Sequence, residues 1–325
     1  MDLFGNHSVS CSIFLVFSVL LMFHGAFGAK FTFVNKCDFT VWPGILSGAG
    51  SLKFDTTGFE LRKGSSRSFQ APGGWSGRFW GRTGCSFDGA GRGACITGDC
   101  GSGEIECNGA GAAPPATLAE FTLGSGASPD FYDVSLVDGY NLPMIVEGTG
   151  GTGACGSTGC VTDLNRQCPA ELKAGNGGAC RSACEKFGTP EYCCSGAYGS
   201  PATCKPSKYS EIFKSACPRS YSYAYDDATS TFTCSGADYT VTFCPSSPSL
   251  KSSTDSSPRT VAAGTGAATA GAVAQTTTPL PESSWMADLA IGGSTRTHPA
   301  DLSFLLFVLI SGSSLFFSFL NLFSS

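Results

Sequence analysis

Eight short stretches of the chain place β-branched or aromatic residues in near alternation with small and polar ones: KFTFVNKC (30–37), TVWPGI (40–45), SRSFQAP (66–72), RFWGRTGC (78–85), TLAEFTL (117–123), FYDVSLV (131–137), MIVEG (144–148) and YTVTFC (239–244). Gly, Pro, Asn or Asp bounds them, so each reads as a strand. Short strands at turn-separated intervals predict a mainly β domain, a sandwich or a barrel. One segment departs from this pattern. In GGACRSACEKFGTPEYCC (177–194), Ala179, Arg181, Ala183 and Glu185 favour a helix that Gly188 and Pro190 stop. Four cysteines lie within 180–194, so covalent cross-links rather than a core would hold this segment as a small separate lobe.

The two ends carry a different pattern. Residues 13–23 (IFLVFSVLLMF) are an apolar run with no polar face, followed by the small residues of HGAFGA. Such a run reads as a secretory signal peptide over 1–28, cleaved after Gly28, rather than as a buried helix. At the other end, 302–323 is apolar and long enough to span a bilayer, but no Lys or Arg follows it. Small residues Gly292, Gly293 and Ser294 and a polar spacer to Asp301 precede it. That order is the pattern of a GPI-attachment signal, with Gly292 or Gly293 as the attachment residue and 294–325 removed as a propeptide. A transmembrane helix is the alternative. Residues 246–293, rich in Ser, Thr, Ala, Gly and Pro, lack cysteine and read as a tether.

An extracellular compartment changes how the cysteines read. Of seventeen, Cys11 leaves with the signal peptide, and the even remainder implies eight disulfides whose connectivity the spacing alone leaves open. The stretch GRGACITGDCGSGEIEC (91–107) has irregular Cys spacings for zinc and stands in an oxidising compartment. The chain's formal net charge of −5 argues against nucleic acid as a partner. His7 and His24 lie in the signal peptide and His298 lies past the attachment site. The mature domain therefore has no histidine for a Ser-His-Asp or Cys-His device, and no metal or cofactor is expected.

The stretches NKCDFTVWPG, GGWSGRFWGRTGC, GRGACITGDCGSGEIEC, PPATLAEFTL, DFYDVSLVDGYNLPM, CPAELKA, EYCC and VTFCP together resemble the plant thaumatin-like, pathogenesis-related proteins across nearly all of 29–245. The resemblance implies a flattened β-sandwich core (29–82, 116–160 and 218–245), a small hairpin and loop lobe (83–115) and a disulfide-rich helical lobe (161–217). It also implies the pairs Cys37 with Cys244, Cys85 with Cys95, Cys100 with Cys107, Cys155 with Cys234, Cys160 with Cys217, Cys168 with Cys180, Cys184 with Cys193, and Cys194 with Cys204.

Family members active against fungi share an acidic cleft of one Arg, one Glu and three Asp. By resemblance, Glu120, Asp133 and Asp138 belong to it. The arginine expected just before Pro114-Pro115 is Ala113, and the aspartate expected after CP is Arg219. Arg219 is then expected to restore the missing cation from the other side of the cleft. Tyr221, Tyr223 and Tyr225, at period two, are expected to share a strand face beside it, with Tyr221 in the cleft. Trp42, Trp75, Phe79 and Trp80 read as packing rather than as a sugar platform. The expected function is binding of cell-wall β-1,3-glucan by an extracellular, membrane-anchored monomer in plant defence or wall recognition. The alternatives are a weak endo-β-1,3-glucanase, with Glu120 as general acid and Asp133 as nucleophile or base, and a structural or signalling surface protein.

Overall fold

The computed structural model describes residues 27–125, 128–175 and 178–245. The expected leader, tether and attachment signal lie outside these, except that the first strand begins at Phe27, two residues before the expected cleavage point. All eight stretches predicted as strands form strands. One five-stranded sheet has the order β10-β9-β14-β1-β3, with β1 Phe27–Asn35, β3 Ser66–Pro72, β9 Met144–Thr149, β10 Thr158–Cys160 and β14 Asp238–Phe243. The other has the order β13-β8-β7-β4-β2, with β2 Trp42–Ser47, β4 Ser76–Arg82, β7 Leu118–Thr122, β8 Asp130–Ser135 and β13 Phe232–Cys234. Two hairpins stand apart, β5 Ser86–Phe87 with β6 Gly93–Ala94, and β11 Lys173–Ala174 with β12 Ala179–Cys180.

Strand alternation sends one face of each sheet into a shared core. Phe31, Phe33, Val241 and Phe243 of the first sheet meet Ile45, Phe79, Phe121 and Val134 of the second there. Phe31 is its hub, with ring centroids 4.7 Å from Phe121, 4.9 Å from Phe79 and 5.8 Å from Trp75, all edge-on. Edge-on rings gain attraction beyond the area they bury. Trp75, Phe79 and Trp80 are fully buried, and Trp42 packs at a tilt against Phe87, ring centroids 4.7 Å apart.

The outer face of the second sheet carries two smaller cores. Trp80 and Leu118 pack with Cys100, Cys107 and Ala116 of the small lobe. Leu136 and Tyr140 pack with Leu164, Leu172, Tyr209 and Phe213 of the helical lobe. Arg82, wholly buried, ties the small lobe down by donating to the carbonyls of Trp42 and Ile105. Burial lowers its pKa to about 10, although the charges of Asp99 and Glu106 oppose that shift.

In the helical lobe, Ser182 caps the helix Ala183–Phe187 by accepting from the Glu185 amide, and Gly188 ends it at φ 64°. Pro190 does not merely stop that helix but opens the next, Pro190–Cys193. Ala179 sits in β12 rather than in a helix. The longer helix Lys208–Ala216 was not foreseen. Its start is a capping box in which Ser207 and Ser210 exchange hydrogen bonds, and Tyr209 and Phe213, four apart, form its buried face.

Eight disulfides join the same pairs that the resemblance implies. Cys37–Cys244 closes a span of 207 residues, and loop-closure entropy credits a loop of that length with about 5 kcal/mol. Replacing both cysteines by serine is expected to lower unfolding free energy by up to that amount, read as a lower urea midpoint in an otherwise folded protein. An unchanged midpoint would mean that the sheet alone holds the ends.

Candidate functional site

Register builds the site. Arg78 of β4 lies opposite Glu120 of β7, and Glu120 lies opposite Asp133 of β8. Their neighbours Phe79, Phe121 and Val134 point into the core, so all three project from the outer face of the second sheet. They occupy the strip between the core under the small lobe and the core under the helical lobe. Asp138 enters from the turn after β8, where Gly139 donates to the Leu136 carbonyl at φ 87°. A Cβ at Gly139 would stand 2.6 Å from the Pro115 side chain and 2.7 Å from the Cys180 carbonyl oxygen. Only glycine fits that turn, which brings a residue of opposite parity to the same strip.

Burial then sets the protonation. Glu120 is half-buried, and desolvation pushes its pKa up to about 7; the Arg78 charge holds it down and the Asp138 charge adds to the rise. Asp133 is 1% exposed, and neither carboxyl oxygen has a hydrogen-bond partner. Desolvation first, then the charges of Glu120 and Asp227, raise its pKa well above the carboxylate range. Asp138 is raised by burial and held down by Arg78. A low-dielectric strip with several carboxyls and one guanidinium keeps part of its acid groups protonated at neutral pH.

The structure brings together Glu120, Asp133 and Asp138 but not Arg219. The Arg219 guanidinium lies 4.6 Å over the Phe232 ring and beside Tyr132, whose ring packs in the sandwich core on the face of β8 opposite to Asp133. The expectation that Arg219 supplies the cation is therefore corrected. The cation is Arg78, two positions before the buried Trp80 and so on the same strand face, and the exposed Ala113 removes nothing from the strip. The pattern of alternation held the signal for Arg78; the strand pairing that sets it beside Glu120 did not show in the sequence.

Tyr221 is 2% exposed and lies behind Asp133, bridging to Ser135 and donating from its hydroxyl to Asp227 Oδ1 at 2.9 Å. It shores up the strip rather than lining its mouth. Tyr223 and Tyr225 share no strand with it, because the chain turns there under Asp226, which accepts from the Ser222 amide and pairs with Lys214 at 2.9 Å. Asp227, acting on both Asp133 and Tyr221, is a further acid that sequence reasoning missed.

Asp133 couples the strip to stability. Because its pKa is raised on folding, the native state holds a proton that the unfolded chain releases above the ordinary carboxylate range. Its contribution is complete below that range and is lost as pH rises toward the folded value. Asp133→Asn is expected to gain about 1 kcal/mol or more at about pH 8 relative to its effect at about pH 4. Denaturant melts of both proteins at the two pH values measure the difference, and equal effects at both would contradict the buried acid.

Residues 35–245 match the Thaumatin family. Thaumatin-like protein 1 of Arabidopsis thaliana is 68% identical over 254 residues, covering 74% of this chain and 97% of that protein. A protein of Prunus avium named glucan endo-1,3-beta-glucosidase is 54% identical over 231 residues, 70% of this chain and 94% of its own length. Among solved structures, the thaumatin-like xylanase inhibitor has 27% identity and a TM-score of 0.38, over 66% of this chain and 99% of that one. With its cysteine framework and carboxyl strip inside the matched span, the chain belongs to the thaumatin family.

Proposed function

We propose that this protein binds cell-wall β-1,3-glucan in the carboxyl strip between its two lobes, in plant defence or wall recognition. It acts outside the cell, held to the membrane by a lipid anchor attached at Gly292 or Gly293. The observation that carries the reading is the burial of Asp133 behind a half-exposed Glu120. Glycoside hydrolysis needs two carboxyl groups that both reach the scissile bond or its attacking water. Asp133, 1% exposed and with its pKa raised well above the carboxylate range by burial, reaches neither. A strip of part-protonated carboxyls beside Arg78 offers donors as well as acceptors, which suits the hydroxyls of a neutral sugar better than a cation.

Hydrolysis remains the second reading, supported by two observations. Glu120, with a pKa near 7, has the value of a general acid, and the Prunus avium relative carries the name of an endo-glucanase. In that reading Asp138, which is half-exposed, takes the part of the base that the sequence had given to Asp133.

Co-sedimentation with insoluble β-1,3-glucan, run beside an assay of reducing-end release, separates the readings. The wild-type protein is expected to sediment without releasing sugar, and Glu120→Ala, which removes donor and acceptor together, to weaken sedimentation about tenfold. Binding is also expected to weaken as pH rises through about 7, where Glu120 loses its proton and its donor. Steady sugar release that Glu120→Gln and Asp138→Asn abolish would replace binding by hydrolysis.

A further inference from the structure

The helical lobe contains a shallow groove open to solvent, with Val137 in its lining. Val137 immediately precedes Asp138, so the groove adjoins the carboxyl strip. Its floor is apolar and closed, formed by Tyr209 and Phe213 of the helix Lys208–Ala216. Half-exposed Tyr192 and Tyr223 stand in its walls, and exposed Glu191 and Lys205 stand at its mouth. Tyr192 belongs to an aromatic cluster with Phe187 and Tyr209, with ring centroids 5.4 to 5.8 Å apart.

Two disulfides fix these walls. Cys184–Cys193 ties the first short helix to the second, and Cys194–Cys204 ties the second to the segment that leads into the long helix. A wall held by covalent bonds gives up little conformational entropy when a ligand arrives. The lining also selects a class of ligand. Glu191 and Lys205 balance in charge, which favours a neutral molecule over an anion or a cation. Tyrosine rings offer apolar faces to sugar C–H groups and hydroxyls to sugar O–H groups, and Ser207 and Ser222 add polar edges to the same lining.

We infer that this groove is a second saccharide subsite, which takes the part of a neutral oligosaccharide that extends out of the carboxyl strip past Val137. The inference rests on the glucan reading above for the identity of the sugar, not for the chemistry of the groove. Short oligosaccharides fill the strip alone, and longer ones gain contact with Tyr223 and Tyr192. Chain length, rather than linkage at one bond, is what the groove recognises.

Titration calorimetry of the full-length protein with laminaritriose and laminarihexaose tests this. The wild type is expected to bind the hexaose more tightly than the triose. Tyr223→Ala and Tyr192→Ala are each expected to weaken hexaose binding roughly three- to tenfold, the scale of one aromatic contact, and to leave triose binding unchanged. Tyr223→Phe keeps the ring and is expected to keep most of the hexaose affinity, while Glu120→Ala weakens both ligands. Wild-type hexaose affinity in both alanine variants, with unchanged thermal midpoints, would overturn the subsite. If the wild type binds neither laminari-oligosaccharide but binds cellohexaose or xylohexaose in a Tyr223-dependent way, the glucan reading fails and the subsite stands. No binding of any of these at millimolar concentration would overturn both.

Discussion

The two ends of the domain meet in the middle of one sheet. β1 pairs in parallel with β14 from Phe31 with Tyr239 to Asn35 with Phe243, and Cys37–Cys244 welds the pair just beyond its last rung. Asn35 prepares that weld from a fully buried position. Its side chain donates to the carbonyls of Leu61 and Phe39 and accepts from the Cys37 amide at 2.8 Å. Until residues more than two hundred apart have met, the first sheet has no centre and the shared aromatic core has no second wall. Contacts of such separation are slow to form, and an oxidised bond is the means of keeping them.

Both lobes stand on the second sheet, and its outer face divides into three. Trp80 and Leu118 seat the small lobe, Leu136 and Tyr140 seat the helical lobe, and Arg78, Glu120 and Asp133 occupy the interval. The acids are buried because the lobes crowd them, and crowding raises their pKa values. The same packing that stabilises the lobes thus loads strain onto the strip, which Arg78 only partly relieves. Strongly perturbed carboxyls, their cost offset by scaffold elsewhere, are a common mark of a functional site.

Much of this was legible in the chain. Alternation revealed the eight principal strands, because a half-buried sheet imposes period two on its residues. The cysteine order, through the family resemblance, matched the cross-links. What alternation could not reveal was which strands lie side by side. Arg78 and Glu120 are forty-two positions apart in the sequence and face each other only through the β4 to β7 register, so the cation was sought at Ala113 and Arg219 instead. The three alternating tyrosines misled for the opposite reason: period two is necessary for a strand but does not make one where Asp226 bends the chain. The helix Lys208–Ala216 was hidden by its cap, since a Ser-x-x-Ser box is a weaker written signal than one ending in Glu or Gln.

The lobes and the sandwich remain folded by different means, and this has a consequence for variation. In the sandwich a changed side chain must still fill its space among Phe31, Phe79 and Phe121. In the helical lobe much of the order comes from sulfur bridges nine to twelve residues apart in sequence, and such loops tolerate exchange of their exposed residues while Leu172 and its neighbours hold the small core. The exposed surface of the lobe can therefore change from one descendant to the next while the sheet face that carries the acids stays the same. A single scaffold of this kind can present new surfaces to changing opponents without being refolded each time.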